Sequence, residues 1–158
     1  METSQLITIL RTFQKPELKK FRNMINSPFH NSNKNLVKLF NVICKYSPEY
    51  KNPGLKKEKI YAKIFPSKKY DDQIMRNLIY GLLKLTRSFL TLQELGNSSF
   101  DNLKYLLRAY KQRNIDVMFE DELKKAFKEL ENSKKNADYF YKNFILNEIR
   151  SLYNEPLY

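Results

Sequence analysis

Glycine, cysteine and histidine are scarce in this chain of 158 residues, and each shortage excludes a class of function. With only three glycines, the chain cannot form a phosphate-binding loop of the GxxxxGKS/T or GxGxxG type, so nucleotide hydrolysis is disfavoured. The one cysteine, Cys44, permits neither an internal disulfide nor a zinc site built from several thiolates. We therefore expect a protein of a reducing compartment that uses no metal and no cofactor.

Long apolar runs are missing as well. Lys or Arg interrupts every apolar stretch well before it reaches the roughly 18 residues of a membrane span, as at Lys84 and Arg87. The chain opens Met1-Glu2-Thr3-Ser4, which lacks the basic segment of a secretory signal. These features predict a cytoplasmic protein without a membrane partner. Because 42% of the residues are hydrophobic, we expect a globular fold rather than a disordered chain.

His30 is the only histidine in the sequence. It falls within the loop 27–33, where a Ser or Cys partner would be close only by accident of folding. A structural role fits this loop better than catalysis does. We expect Phe29 to insert into the core, while Asn31 and Asn33 form turn and cap hydrogen bonds.

Paired carboxylates are the other feature that an enzyme could use. They occur at Asp71-Asp72 and at Glu120-Asp121-Glu122, and both runs lie at predicted helix starts, where the helix dipole favours negative charge. Helix capping accounts for them without catalysis. We therefore predict that the protein is not an enzyme, and an unfamiliar enzyme that uses His30 is the weakest alternative.

The spacing of apolar residues is helical almost throughout, and no window alternates apolar and polar residues as a strand does. Eight helices are predicted, beginning near residues 5, 16, 34, 56, 71, 98, 116 and 137. The fold class is therefore all-α: a multi-helix bundle with a C-terminal αα-hairpin, in which helices six and seven pair like one solenoid repeat of the tetratricopeptide kind. Helix five, 71–94, is the longest, with Asp71 as its N-cap and Gly96 just past its end.

Positive charge is concentrated in the first part of the chain. Residues 1–95 contain 18 Lys and Arg against 7 Asp and Glu, while residues 96–158 contain 11 against 10. We predict two domains: a basic helical bundle over 1–95, and a near-neutral helical hairpin region over 96–158 that begins a longer α-helical repeat region. Such asymmetry is typical of proteins that bind nucleic acid or another polyanion. Alternatively, the lysines only reflect a composition rich in Lys, Asn, Ile and Tyr.

Helix five is the clearest candidate for such binding. At 100° per residue, a polar and basic set shares one arc of about 100°, opposite an apolar set that includes Ile74 and Leu92. Arg, Asn and Lys pair with phosphates and base edges, and a tyrosine can stack or contact the backbone. With the cations that precede the helix, the predicted nucleic-acid interface is Lys63, Lys68, Lys69, Arg76, Asn77, Tyr80, Lys84 and Arg87. Alternatively, this stripe is only the solvated side of an amphipathic helix.

Helix eight carries apolar residues around most of its circumference, so no single buried face accounts for them. We predict that a partner covers the rest, either another protein or a further C-terminal part of the same chain. The predicted partner interface is Tyr139, Tyr141, Phe144, Ile145, Leu152 and Tyr153. An exposed aromatic patch without function is the alternative.

Several short segments within the first 95 residues form a recognisable set. They are Leu10-Arg11-Thr12-Phe13, Glu17-Leu18-Lys19-Lys20-Phe21, Ser27-Pro28-Phe29-His30-Asn31, Leu39-Phe40, the run from Lys59 to Pro66, Tyr70-Asp71-Asp72, Arg76-Asn77-Leu78-Ile79 and Leu82-Leu83-Lys84-Leu85. Together they resemble a family of uncharacterised all-helical bacterial proteins. The resemblance implies a bacterial, all-helical protein, and it implies no activity.

The run that begins at Lys59 is similar, more faintly, to the winged-helix portion of bacterial transcriptional activators that also carry helical repeats. This resemblance implies that the helix matching 74–89 lies in the major groove of DNA. The sequence departs from that pattern after Leu90, where helix six begins in place of a wing. The resulting prediction is a non-catalytic interaction protein that binds DNA or RNA through helix five, with a protein-binding scaffold as the alternative.

Overall fold

The structure is a computed structural model that describes residues 3–154, with side chains through residue 152. All the regular secondary structure in this range is helical. The helices are α1 Gln5–Leu10, α2 Lys15–Asn26, α3 Lys34–Cys44, α4 Lys57–Ile64, α5 Asp72–Asn97, α6 Ser99–Gln112, α7 Asp116–Glu131 and α8 Ala137–Asn154, with a 3-10 turn at Pro53–Leu55. The predicted all-α fold of about eight helices is therefore confirmed.

Several helices begin where a side-chain oxygen accepts a hydrogen bond from the first turn, whose N–H groups have no partner within the helix. Ser4 caps α1, Asn33 caps α3 and Ser98 caps α6. At the start of α5, Oδ1 of Asp71 accepts a bond of 2.9 Å from the backbone N–H of Ile74. These local signals explain why the helix starts could be predicted closely.

The C-terminal end of α5 differs from the prediction. The helix runs to Asn97 rather than ending at 94, and Gly96 lies inside its last turn without the positive φ of a helix-ending glycine. The side-chain amide of Asn102 donates a hydrogen bond of 2.7 Å to the carbonyl of Leu95. Because this carbonyl already has a partner, no left-handed residue is needed there to satisfy it.

The chain divides into two compact units, Met1–Leu92 and Gln93–Tyr158, and each unit has its own hydrophobic core. The core of unit 1 surrounds a cluster of four phenylalanine rings. The ring centroid of Phe21 lies 5.7 Å from that of Phe13, 5.1 Å from that of Phe40 and 5.1 Å from that of Phe89. Because buried aromatic rings each remove roughly 150–250 Å² from water, this cluster contributes strongly to the stability of unit 1.

Phe29 does not insert into the core, so that prediction is wrong. Its side chain is 90% exposed at the tip of the loop between α2 and α3. The side chain of Asn31 donates a bond of 2.9 Å to the carbonyl of Ile25 and accepts one from the backbone N–H of Asn33, which confirms the turn and cap bonds expected here. Since the turn is closed beneath Phe29, the ring is held on the outside.

In unit 2, each of α6, α7 and α8 packs against the other two. The side chains buried between them are Leu107, Phe119, Leu123, Ala126, Leu130, Leu146 and Ile149. Asn114 closes the turn between α6 and α7 with a φ of 55°, a left-handed conformation that asparagine tolerates better than most residues. The predicted αα-hairpin of α6 and α7 is thus present, and α8 packs on both of its helices.

Candidate nucleic-acid interface

The positive charge of the protein belongs to unit 1. Residues 1–92 contain 18 Lys and Arg against 6 Asp and Glu, whereas residues 93–158 contain 11 of each. Sixteen of the eighteen cations have no carboxylate within ion-pairing distance among the described residues, since Lys57 and Arg76 alone have one there. Unit 1 therefore presents a positive field that its own acids do not neutralise.

Many cations of unit 1 lack an ion-pair partner partly because some of its carboxylates accept hydrogen bonds from backbone N–H groups instead. Oε2 of Glu17 accepts a hydrogen bond of 2.8 Å from the N–H of Gln14, which completes the cap of α2. Asp71, just before α5, accepts a hydrogen bond from the N–H of Ile74 in the first turn of that helix. The carboxylates thus stabilise helix N-termini, where the helix dipole also favours them, instead of pairing with the lysines.

The exposed side of α5 carries the residues that the sequence pattern placed there. Arg76, Asn77, Tyr80, Lys84 and Arg87 are all exposed, and Tyr80 is exposed to 66%. They extend over about 16 Å of the helix at roughly 1.5 Å per residue. We call these five residues the basic face of α5. The stripe therefore faces solvent.

The buried side of α5 is rotated slightly from the predicted one. Met75 and Leu82, spaced at seven residues, are its most deeply buried apolar side chains, while Ile74 and Leu92 are 38% and 45% exposed. Leu83, which is also buried, extends the core on the side of α5 that lies opposite Ile74 and Leu92. The core positions assigned to Ile74 and Leu92 were wrong.

Hydrogen bonds and one ion pair orient the basic face. Nε of Arg76 lies 3.0 Å from Oδ2 of Asp72, one turn earlier in the helix. The side-chain amide of Gln73 donates to Oδ1 of Asn77 at 3.0 Å. Nη2 of Arg87 donates to Oε1 of Gln5 on α1, also at 3.0 Å. The two arginines are thereby positioned while their remaining N–H groups stay available to a ligand.

Asp72 joins α4 to the start of α5. Its Oδ1 accepts a hydrogen bond of 2.7 Å from the hydroxyl of Tyr70 and lies 3.1 Å from Nζ of Lys57. The Tyr70 bond and then the Lys57 bond hold the pKa of Asp72 below its ordinary value. Burial, reinforced by the bond to Asp72, raises the pKa of Tyr70 to about 12. Asp72 is therefore ionised and Tyr70 neutral at pH 7.

The three lysines predicted to extend the interface occupy different places. Nζ of Lys63 donates a bond of 2.9 Å to the hydroxyl of Tyr46 beyond the end of α3, so Lys63 belongs to the α3 side of α4. Lys68 and Lys69 are exposed in the turn before α5, where Nζ of Lys68 lies 5.7 Å from the ring centroid of Phe65. Lys57 is the α4 lysine that reaches α5, where its Nζ lies 3.1 Å from Oδ1 of Asp72.

Helix α8 in unit 2 exposes part of the predicted partner interface. Tyr141, Phe144 and Leu152 are 51%, 65% and 45% exposed. Tyr139 and Ile145 are half-buried and pack against the core of unit 2. The side chain of Tyr153 lies outside the described residues.

Phe140 was missing from the predicted interface although its side chain is 61% exposed. Its spacing of four residues from Phe144 places both rings on one face of α8, and this spacing is the signal that could have identified it.

Unit 2 also contains a cavity of about 470 Å³. Its apolar lining comes from Phe100, Leu103, Ala126, Leu130 and Leu146. Charged pairs stand at its rim, with Nζ of Lys125 2.9 Å from Glu122 and Nζ of Lys142 2.6 Å from Asp138. The volume suits a small apolar group, and the lining contains no His or Cys.

Two side chains with catalytic potential lie elsewhere. Burial raises the pKa of Cys44 to about 11, against the opposing effect of the Arg22 guanidinium, so the thiol is protonated and weakly nucleophilic at neutral pH. His30 is exposed beside Phe29, with the two ring centroids 5.0 Å apart. In the part of the chain that the structure describes, no group of three or more His, Cys, Asp and Glu residues is arranged to hold a metal ion.

Of the helices in residues 3–154, none combines the length and the apolar character that a membrane crossing requires. A scan against protein-family models, a search of curated proteins and a search of solved structures each gave no match. The resemblances to a bacterial family and to winged-helix activators therefore stay predictions.

Proposed function

We propose that this is a non-catalytic cytoplasmic interaction protein that binds nucleic acid, DNA or RNA, through unit 1 and the basic face of α5. The observation that carries the proposal is the unneutralised charge of unit 1: sixteen of its eighteen Lys and Arg have no carboxylate within ion-pairing distance among the described residues. Polyanions bind such surfaces by releasing counterions. Membership of the bacterial all-helical family is part of the same proposal.

The composition of the basic face supports nucleic acid over other polyanions. Arg76 and Arg87 can each pair with a phosphate through two N–H groups, and Asn77 has the amide chemistry that pairs with base edges. Tyr80 lies one helical turn from both Arg76 and Lys84, with 66% of its side chain exposed. An aromatic ring flanked by cations is typical of a site that tracks a nucleic-acid backbone and stacks a base.

Fluorescence anisotropy with labelled single-stranded DNA, duplex DNA and RNA at low salt tests this proposal. The test variant carries Arg76→Glu, Lys84→Glu and Arg87→Glu. We expect its affinity to fall at least about tenfold, with a salt slope smaller by about 3 if each cation contacts one phosphate.

The matched control carries Lys19→Glu, Lys34→Glu and Lys38→Glu, which makes the same charge change on exposed positions of α2 and α3. It should weaken binding less, because it lowers the field of unit 1 without touching the basic face. The proposal fails if the wild-type protein binds none of the three probes, or if both triple variants lose the same affinity.

A second function, binding of a protein, is favoured by the exposed aromatic residues of α8. Phe140 and Phe144 are 61% and 65% exposed on one face of that helix. Large exposed aromatic side chains that cluster in this way are typical of protein interfaces. Unit 2 has no excess of positive charge, so this surface is distinct in chemistry from the basic face.

A further inference from the structure

The loop between α2 and α3 carries the most exposed large apolar side chain among the described residues. Phe29 is 90% exposed, and the next in order, Val117, is 77% exposed. Hydrogen bonds close the backbone beneath the ring, since the N–H groups of His30 and Asn31 both donate to the carbonyl of Ser27, at 3.0 and 2.9 Å. The exposure of Phe29 is therefore fixed by the turn itself.

The two helices that join at this loop are basic. From residue 18 to residue 48 the chain contains six Lys and Arg and no Asp or Glu. All six cations are exposed, and none has a carboxylate within ion-pairing distance among the described residues. Helix α5, where a Cβ on Gly81 would lie 3.3 Å from Leu36 of α3, has no acid from 73 to 93. These segments therefore contribute positive charge and no negative charge.

Three lysines form a row on the outer side of α3. At 100° per residue, Lys34, Lys38 and Lys45 fall within an arc of about 40°. This arc lies opposite the buried side chains of Leu36 and Ile43. The row extends over about 16 Å at roughly 1.5 Å per residue. We call these residues the α3 lysine row. Lysine is a compact charge without the fixed fork of arginine, so such a row attracts an anionic surface without reading a particular pattern on it.

An anionic bilayer surface matches both the ring and the lysines. It accepts apolar side chains at the boundary between headgroups and acyl chains, and it attracts clusters of about four to eight Lys and Arg. A ring at a projecting loop tip can enter such a surface. A nucleic-acid strand that stacks its bases on aromatic rings instead usually lies in a positively charged groove.

We infer that the hairpin of α2 and α3 binds the surface of an anionic bilayer, with Phe29 inserted among the headgroups and the α3 lysine row against them. This function is additional to nucleic-acid binding and uses residues outside the basic face of α5. The prediction of no membrane partner rested on the lack of a spanning segment, which surface binding does not require. Anionic lipids are enriched in the cytoplasmic leaflet, which agrees with the proposed cytoplasmic location.

Co-sedimentation of the full chain with lipid vesicles, at low salt and without nucleic acid, tests the inference. One set of vesicles is pure phosphatidylcholine, and in the other about 30% of the lipid is phosphatidylserine. We expect binding to the anionic vesicles to be at least about tenfold tighter and to weaken as salt screens the lysines. A protein that binds neither set, or both equally, overturns the inference.

Phe29→Ser tests the ring without changing the charge. We expect its partition coefficient on anionic vesicles to fall at least about tenfold, because the apolar ring no longer leaves water. The matched control, Phe144→Ser, removes a ring that is 65% exposed in unit 2 and should bind vesicles as the wild type does. If Phe29→Ser keeps wild-type vesicle binding, or weakens nucleic-acid binding in its place, the ring is not a membrane anchor.

Two variants with the same charge change test the α3 lysine row. Lys34→Glu, Lys38→Glu and Lys45→Glu together should weaken vesicle binding at least about 100-fold, since each lysine close to the surface contributes about fivefold. The control is the triple variant of the basic face, with Arg76→Glu, Lys84→Glu and Arg87→Glu, which should lose less. Equal losses in the two variants would mean that the field of unit 1 acts as a whole, and the assignment to this hairpin would fail.

Insertion of the ring can be followed directly, because the chain contains no tryptophan. The emission of Phe29→Trp should move to shorter wavelength when anionic vesicles are added, whereas that of Phe144→Trp should stay unchanged. Circular dichroism of every variant establishes that helix content is kept. An unchanged Phe29→Trp spectrum on bound protein overturns the insertion. Vesicle binding and nucleic-acid binding are measured separately, so failure of one proposal leaves the other intact.

Discussion

The hydroxyl of Tyr70 donates a hydrogen bond of 2.7 Å to Oδ1 of Asp72, two residues later in the chain. The other carboxylate oxygen of Asp72 lies 3.0 Å from Nε of Arg76, the first cation of the basic face. Tyr70 therefore acts on the basic face through Asp72, and it also holds the turn that leads into α5. A residue outside the basic face thus contributes to its geometry.

Removal of the Tyr70 hydroxyl should raise the pKa of Asp72. The folded protein favours the ionised carboxylate, so its contribution to stability is present at neutral pH and is lost as the pH falls through the depressed pKa. In Tyr70→Phe, the carboxyl resonance of Asp72 should titrate at higher pH in an NMR experiment. Tyr46→Phe is the control, since Tyr46 contacts Lys63 instead. An unchanged Asp72 titration in Tyr70→Phe would contradict this account.

The Cys44 thiol should react slowly with alkylating reagents in the folded protein. Its pKa is raised from 9.0 to about 11, mainly by burial, which lowers the thiolate fraction at pH 8 by roughly 100-fold. The rate of iodoacetamide alkylation should therefore rise towards a midpoint near pH 11 in the native protein and near pH 9 in denaturant. Equal rates in the two states would show that the thiol is accessible and unperturbed.

The same pKa shift predicts how stability depends on alkaline pH. Between about pH 9 and pH 11 the unfolded thiol loses its proton while the folded one keeps it, so the free energy of unfolding should fall as the pH rises. Cys44→Ala should remove this part of the pH dependence. Urea unfolding at several pH values measures both chains.

Two glycines of α5 should respond differently to alanine. A Cβ at Gly96 meets nothing within 4 Å, so Gly96→Ala should stabilise the protein by up to about 1 kcal/mol through helix propensity. A Cβ at Gly81 would lie 3.3 Å from Leu36, which must shift, so Gly81→Ala should gain less and Gly81→Val should lose about 1–3 kcal/mol. Urea unfolding compares the three variants. An equal gain from both alanines would mean that α3 and α5 are not closely packed at Gly81.

How far the sequence predicts this protein depends on the range of the interactions involved. Ser4, Asn33, Asp71 and Ser98 accept bonds from N–H groups two or three residues away, so the pattern alone located these helix starts. The end of α5 depends on Asn102, seven residues beyond the carbonyl that it satisfies, and the glycine signal at 96 was misleading.

The candidate interfaces were also predictable only where local sequence pattern determines which way a side chain faces. The basic face of α5 was predictable because a long amphipathic helix has only one polar side. The pattern did not determine the direction of Lys63, because that direction depends on Tyr46, which is distant in sequence. On α8, apolar residues surround the helix, so the pattern did not determine which of Tyr139 and Phe140 faces the core.

Tyr80 should distinguish single-stranded from duplex ligands. If its exposed ring stacks on a base, Tyr80→Ala should weaken binding of single-stranded RNA or DNA by about 1–3 kcal/mol, and Tyr80→Phe should retain most of the affinity. Duplex binding should change less, because paired bases are not free to stack on the ring. Tyr105→Ala, at an exposed tyrosine of unit 2, is the control. Equal losses for both ligand classes would assign Tyr80 a backbone contact instead.

The exposure of Phe29 has a consequence for proteolysis. Its 90% exposed ring at a loop tip is a ready substrate for a chymotrypsin-like protease, which cleaves after aromatic residues. The piece released by such a cut would carry α1 and α2, whose Leu6, Ile25 and Phe21 are buried in the core of unit 1. Burial of these side chains would hold the two pieces together, so a nicked protein would migrate as one species under native conditions and as two in denaturant.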